Sequence, residues 1–284
     1  PFHSEGRDLN SLMVSFNQSY NLKNQFAPAA LMNARKCWLR PTFLYLEGGN
    51  ALTGRDYLVM GRDILAQNQD IYQAKAAEIE SNVQREFGFR PIWSGAFEAL
   101  SSPKLQLSQG KFQPAFHLDM YLTLAGSIME EDEEKELVFV GELVGVAAEK
   151  AQNPKNPRSI LLWQINAALE QCALDFSRRR VNGRAFKVVR LPLMLVIQGA
   201  TGRFLSYNNC LMEIYDDKKR VYLPSYLDKP LEDVDMTEFE RQAVSEYENQ
   251  GFEVVKVEAE LARKSWITQG SLHCLVQVLA RDKA

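Results

Sequence analysis

The sequence predicts a mixed α/β (α+β) fold assembled from repeats of one supersecondary unit. Along the 284 residues, a pair of strand-like runs, a helical pattern, a glycine and a further strand-like run follow one another in that order three times. Each pair of runs is joined by a short polar turn, the signature of a hairpin. Each helical stretch gives way to Gly88, Gly183 or Gly251, and glycine just past a helix end is a common cap because it accepts left-handed dihedrals. Three copies of one order indicate a repeat architecture. The glycine spacings of 95 and 68 residues are irregular, so an ordinary α+β domain is the competing reading.

The first copy has strand patterns at 43–52 and 56–61, joined by a turn at Thr53-Gly54-Arg55. A helical pattern runs from about Arg62 to Glu86, then the extended stretch 89–93. In the middle copy, 116–124 and 136–141 flank an acidic turn, helical segments reach about Arg180, and 185–196 reads as a strand. In the last, 210–215 and 220–224 flank Asp216-Asp217-Lys218-Lys219, a helix runs from Asp235 or Met236 to Asn249, and 252–259 is a strand.

Composition narrows the function classes. At 46% hydrophobic and 24% charged, the chain has the makings of a sizeable core. It reads as a single domain spanning 1–284. A formal charge of −3 gives no global attraction to nucleic acid. The run Glu130-Glu131-Asp132-Glu133-Glu134 could bind a cation, but such runs are more often solvated turns. No apolar stretch approaches the roughly 20 residues of a membrane helix. The chain starts at Pro1 without Met, and the expectation is that sequence precedes it. Compartment and oligomeric state have no sequence signature. Cys37, Cys172, Cys210 and Cys274 are widely separated, with neither zinc-ligand spacing nor the density of a disulfide framework.

Few residues are candidates for chemistry. His117 is one of only three histidines, with His3 and His273. Around it, Phe116, Leu118, Met120, Leu122 and Leu124 alternate with His117, Asp119, Tyr121 and Thr123. Period two places His117 and Asp119 side by side on the polar face of a strand, where they could equally be a structural pair. Cys274 follows Gly270-Ser271-Leu272-His273, a composition suggesting a tight loop at a strand entrance; inert packing is its bland reading. Cys172 fits inert packing well. Glu47-Gly48-Gly49-Asn50 puts two glycines into an otherwise apolar hairpin, for a bulge or for close approach of a ligand to the backbone. Arg7-Asp8 carries almost no information alone. Trp93, Trp163 and Trp266 could line a substrate mouth, with core packing preferred for the first two.

Taken together, these groups suit one substrate. A guanidinium is a poor electrophile because its charge is spread over three nitrogens. Attack on its carbon needs a thiolate-type nucleophile, a histidine to protonate departing ammonia, and carboxylates to hold the planar cation by charge-assisted hydrogen bonds.

EGGN at 47–50, HLD at 117–119 and GSLHC at 270–274, in that order, resemble the guanidino-modifying enzymes. That superfamily includes arginine, agmatine and peptidylarginine deiminases, dimethylarginine hydrolases and amidinotransferases. YLVMGRDIL after the first motif and NNCLMEIYDDKKRVYLPSY before the last support the match, which spans about residues 7–281. The resemblance implies a pentein fold: a propeller of ββαβ units with pseudo-fivefold symmetry, the first unit truncated or divergent. It implies Cys274 as nucleophile and His117 as general acid and base. Asp119, with Asp8 if Arg7-Asp8 matches the family's early RD, would clamp the guanidinium. Glu47 would orient His117 or touch the substrate, and Gly48, Asn50 and Gly270 would lie along the substrate. No metal or organic cofactor is implied.

The expected partner is therefore a guanidine-containing substrate, either an arginyl peptide or protein or a small arginine derivative, with no nucleic acid and no membrane. GSLHC followed by LVQVLAR leans towards the peptidylarginine branch. An amidinotransferase on the same scaffold, a non-catalytic pentein binding protein and a cysteine protease are the alternatives. The last gives no reason for the Glu47 and Asp119 carboxylates.

Overall fold

The computed structural model describes residues 11–15, 38–42, 44–96, 98–100, 110–198, 201–215, 218–227, 236–257 and 272–275. In the first unit, β3 (Ala51–Thr53) runs antiparallel to β4 (Leu58–Gly61), and two helices, α1 (Arg62–Tyr72) and α2 (Ala76–Phe87), lead to β5 (Pro91–Ser94), parallel to β4. The second unit repeats the order on a larger scale. β6 (Leu122–Glu130) and β7 (Glu133–Val144) form a hairpin, and α3 (Val146–Gln152) and α4 (Pro157–Arg178) cross over to β9 (Arg184–Gln198), parallel to β7. In the third, β11 (Leu211–Tyr215) and β12 (Lys218–Pro224) are antiparallel, and α5 (Thr237–Asn249) returns the chain to β13 (Glu253–Val257), parallel to β12.

The three units thus share strand order and strand direction. The short β8 (Arg180–Val181) and β10 (Thr201–Ser206) extend the sheet of the second unit through β9. A fourth sheet pairs β1 (Ser11–Ser15) in parallel with β2 (Trp38–Thr42), matching the parallel half of a unit.

Helical spacing explains the packing. Ile79, Val83 and Phe87 recur every four residues on α2 and pack with Leu58, Met60 and Ile64 under one face of the first sheet. Each such burial is worth about 1.5–3 kcal/mol. Val59, on the opposite face of β4, joins a larger core with Leu161, Ile165, Leu169 and Phe176 of α4 and with Val138 and Val140 of β7. Leu137 and Phe139, alternating with those two, enter a third cluster with Ala243 and Tyr247 of α5. The first two units are also tied by Arg184, which bonds both Asp56 and the buried Glu136, while Tyr57 donates to the other oxygen of Glu136.

Three expectations change, and the acidic turn is found as expected. The helix foreseen from Arg62 to Glu86 is two, broken where Gln73 adopts φ 51°. Gly183 does not cap a helix: α4 ends through Arg179 in extended conformation, and Gly183 (φ 85°) sits with Asn182 (φ 48°) in the tight turn joining β8 to β9. A second pair of left-handed residues, Glu131 and Asp132, makes the acidic run a two-residue hairpin turn, with Glu130 bound to Lys135 and Lys187. Core packing fails for Trp163, which is 52% exposed on α4.

Candidate active site

Glu47 and His117 each stand at the head of a three-residue 3-10 turn that opens the first strand of a unit. Glu47 (φ −117°, ψ 129°) precedes Gly48–Asn50 and β3. His117 (φ −128°, ψ 151°) precedes Leu118–Met120 and β6. This replaces the strand expected through His117: Leu118, Asp119, Met120, Tyr121 and Leu122 are all buried, which no alternating face would allow. The two turns are joined by Asn50. Its side-chain oxygen accepts from the Leu118 N–H and from Gln113 Nε2, each at 2.8 Å, and its amide nitrogen donates to Glu47 Oε2 at 3.0 Å. Asn50 is wholly buried. It is therefore a joint between the two turns.

The turns bring the charged groups together. His117 Nε2 lies 3.3 Å from Glu47 Oε2, and Tyr45 donates its hydroxyl to Glu47 Oε1 at 2.6 Å. Burial alone would raise the Glu47 carboxyl, but hydrogen bonds from His117, Tyr45 and Asn50 and the charge of His117 outweigh it and hold the group below the usual carboxylate range. Asp119, 2% exposed, presents Oδ2 to His273 Nδ1 at 2.8 Å. A Cβ at Gly49 would stand 2.6 Å from His117 Nδ1 and 3.0 Å from Asp119 Oδ1, so Gly49 is the floor on which both side chains rest. A Cβ at Gly48 would meet nothing within 4 Å. The steric demand behind the glycine pair belongs to Gly49.

The motif before Cys274 also differs from expectation. Leu272–Leu275 form a single helical turn, α6, where a tight loop was foreseen, and the strand expected after it lies outside the described residues. Cys274 lies in this turn directly after His273, whose ring reaches Asp119. Asp8 and Gly270 fall outside the described residues. His273 is the participant that sequence reasoning missed. It stood among the three histidines of the chain and within the GSLHC string, but was given no role there.

Cys172 and Cys210 are both buried. Burial pushes the Cys172 thiol up to about 12, with Ser94 Oγ at 3.4 Å as its polar neighbour. Burial also raises Cys210, to about 11. Both are protonated at neutral pH and carry no nucleophile. What remains is a carboxylate-held imidazole, a buried carboxylate and a cysteine-bearing turn, drawn from three distant segments. The carboxylates and the imidazole can hold a planar cation and deliver a proton.

No family model and no curated protein matches the sequence. Solved structures do. A cysteine-to-serine variant of a C. jejuni agmatine deiminase, with substrate bound, matches with a TM-score of 0.53 at 15% identity, over 93% of this chain and 66% of that one. A protein provisionally named a peptidyl-arginine deiminase gives 0.60 at 16% identity, over 93% and 68%. Another provisionally named an agmatine deiminase gives 0.55 at 14% identity, over 88% and 61%. The chain thus spans about two thirds of the length of these neighbours. At such identities the likeness is one of architecture, and the chain has the mixed α/β fold of the agmatine and peptidyl-arginine deiminase structures, the fold of the guanidino-modifying pentein enzymes.

Proposed function

We propose that the chain is a guanidino-group hydrolase, a deiminase that converts a guanidinium to a ureido group and ammonia. The observation that carries this reading is the convergence of Glu47, His117, Asp119 and the His273-Cys274 turn from three remote segments. Convergence of a carboxylate-held histidine with a second carboxylate and a cysteine is what attack on a stabilised cation requires. The fold shared with deiminases raises the same reading.

In this mechanism Asp119, with Asp8, holds the guanidinium nitrogens and presents the carbon to the Cys274 thiolate. Attack forms a C–S bond and a tetrahedral centre. His117, held at Nε2 by Glu47, gives a proton to one nitrogen, and the C–N bond breaks with loss of ammonia. An amidino-thioether remains. His117 then takes a proton from water as its oxygen adds to the same carbon. Collapse expels the Cys274 thiolate and leaves the ureido product. Positioning of this kind supplies about 7–11 kcal/mol in well-ordered systems.

The substrate class proposed is arginine in a peptide or protein, or a small arginine derivative. The wider architecture proposed is a single domain in which the ββαβ units circle a pseudo-fivefold axis, each contributing its strand-entry turn to the centre. The three units of like topology and the parallel β1–β2 pair support it.

The test is ureido product formed on free arginine, agmatine and an arginine-containing peptide, with wild type beside Cys274→Ala. Product from wild type and none from the variant is the expected result, and the preferred substrate selects the branch. Wild-type silence on all three by a folded protein would overturn hydrolysis. Transfer of the amidino group to an added amine would point to an amidinotransferase.

A further inference from the structure

The roles above leave His273 unused. Its Nδ1 meets Asp119 Oδ2 at 2.8 Å, across 154 positions of sequence. The carboxylate side chain is 3% exposed and the imidazole 37%, so the bond sits at the edge of the core, shielded on the Asp119 side. The aspartate is a rigid base. The Leu118 N–H before it is held by Asn50, and the Met120 carbonyl after it accepts from Ser206 Oγ at 2.6 Å.

The cysteine-bearing turn is the opposite case. α6 has four residues, and a single turn cannot hold its own geometry, because helix nucleation is unfavourable without tertiary support. Within the described residues its ties are the buried Leu272 and the His273–Asp119 bond. Cys274 is the next residue, so any displacement of the His273 backbone is passed directly to it. The same aspartate therefore borders Gly49 through Oδ1 and grips the cysteine-bearing turn through Oδ2.

We propose, resting on the deiminase reading above, that His273 is a positioning residue whose hydrogen bond to Asp119 sets the spacing between the guanidinium clamp and the backbone of the nucleophile. Asp119 then serves two partners, one oxygen for the cation and one for the turn that attacks it. A misplacement of the order of 1 Å costs about 100-fold in rate.

The test uses the full chain with His273→Leu and His273→Asn, each checked for a native melting temperature. Asn places an amide N–H near the position of the imidazole Nδ1, whereas Leu removes the donor. Steady-state kinetics on the substrate that wild type turns over are read beside alkylation of Cys274 by chloroacetamidine and by neutral chloroacetamide. Their rate ratio reports, without turnover, how well a planar cation is delivered to the thiol.

The Leu variant is expected to lose about 100-fold in kcat with a smaller change in KM, and its amidine preference to fall towards one. The Asn variant is expected to recover most of both. A folded Leu variant with wild-type kcat and preference would overturn the proposal, as would an Asn variant no better than Leu. Should Leu not fold, His273→Phe keeps the ring without the donor and carries the same expectations. Wild type with neither product nor amidine preference overturns the deiminase reading itself, a result distinct from a failure confined to the variants.

Discussion

In the turn before β3 the leading residue is Glu47, and in the turn before β6 it is His117. The two turns share an extended leading residue and a closing pattern: the residue after each turn donates its N–H to the carbonyl of the turn's first residue, Ala51 to Gly48 and Tyr121 to Leu118. The segment before β11, in the same place within its unit, is spent differently. Ser206 Oγ accepts from the Asn208 and Asn209 N–H groups, and Asn208 Nδ2 donates to the Phe139 carbonyl and to Thr123 Oγ1. Asn208 thus ties its segment to β6 and β7 of the second unit's sheet, while Glu47 and His117 bind to each other. One strand-entry position therefore ties two sheets together in one unit and brings a carboxylate and an imidazole together in the other two, and side-chain identity makes the difference.

The largest effect that would sharpen this contrast is removal of the Glu47 charge. Glu47→Gln keeps the size and leaves His117 without its carboxylate, and kcat is expected to fall by about 10²-fold or more, the usual weight of acid–base catalysis. A variant within a few-fold of wild type would put Glu47 outside the machinery.

Gly49→Ala comes next. Its Cβ cannot coexist with His117 and Asp119 as they stand, so activity should drop by about 100-fold through misplacement. Gly48→Ala, which meets nothing, should keep most of it. Equal effects at the two glycines would break the assignment of the floor to Gly49.

Asn50→Ala and Asn208→Ala compare the turns in stability. Each leaves buried polar groups without a partner, at about 1–3 kcal/mol. Both should lower Tm by several degrees in a chain of this size, but only Asn50→Ala should also reduce kcat. Parallel losses of activity would show the third turn to be part of the site.

The smallest effect is a pH dependence. Glu47 is held below its usual value of 4.5, so the folded state binds that proton less readily than the unfolded one. Its contribution to stability is present above about pH 4.5 and is lost as pH falls through the folded value. Denaturant midpoints for wild type and Glu47→Gln should therefore converge below that pH, and a constant gap between them would contradict the pairing with His117.

Much of the fold was legible because hairpins and helix ends leave local marks. The β6–β7 hairpin, the β11–β12 hairpin, α5 and the cap at Gly88 all follow from neighbours in sequence. The strand-entry turns were not legible. Period two around His117 reads as a strand, and what bends it is Asn50, 68 residues away from Leu118. Gly48 and Gly49 look alike in sequence, and only the packing of His117 and Asp119 over one of them tells them apart. The linking role of Asn50 was not legible, because it depends on Gln113 and Leu118, both far along the chain. His273 was hidden for the same reason.

The 154 residues between Asp119 and His273 also set a clock. At synthesis rates of about 5–20 residues per second, roughly 8–30 s pass between the emergence of one partner and the other. During that interval the nascent chain holds Asp119 but not the turn that carries His273 and Cys274. Contacts this distant also form late in folding, since closing long loops precedes any return from them. The Asp119–His273 bond can therefore form only once the segment carrying His273 has emerged and docked.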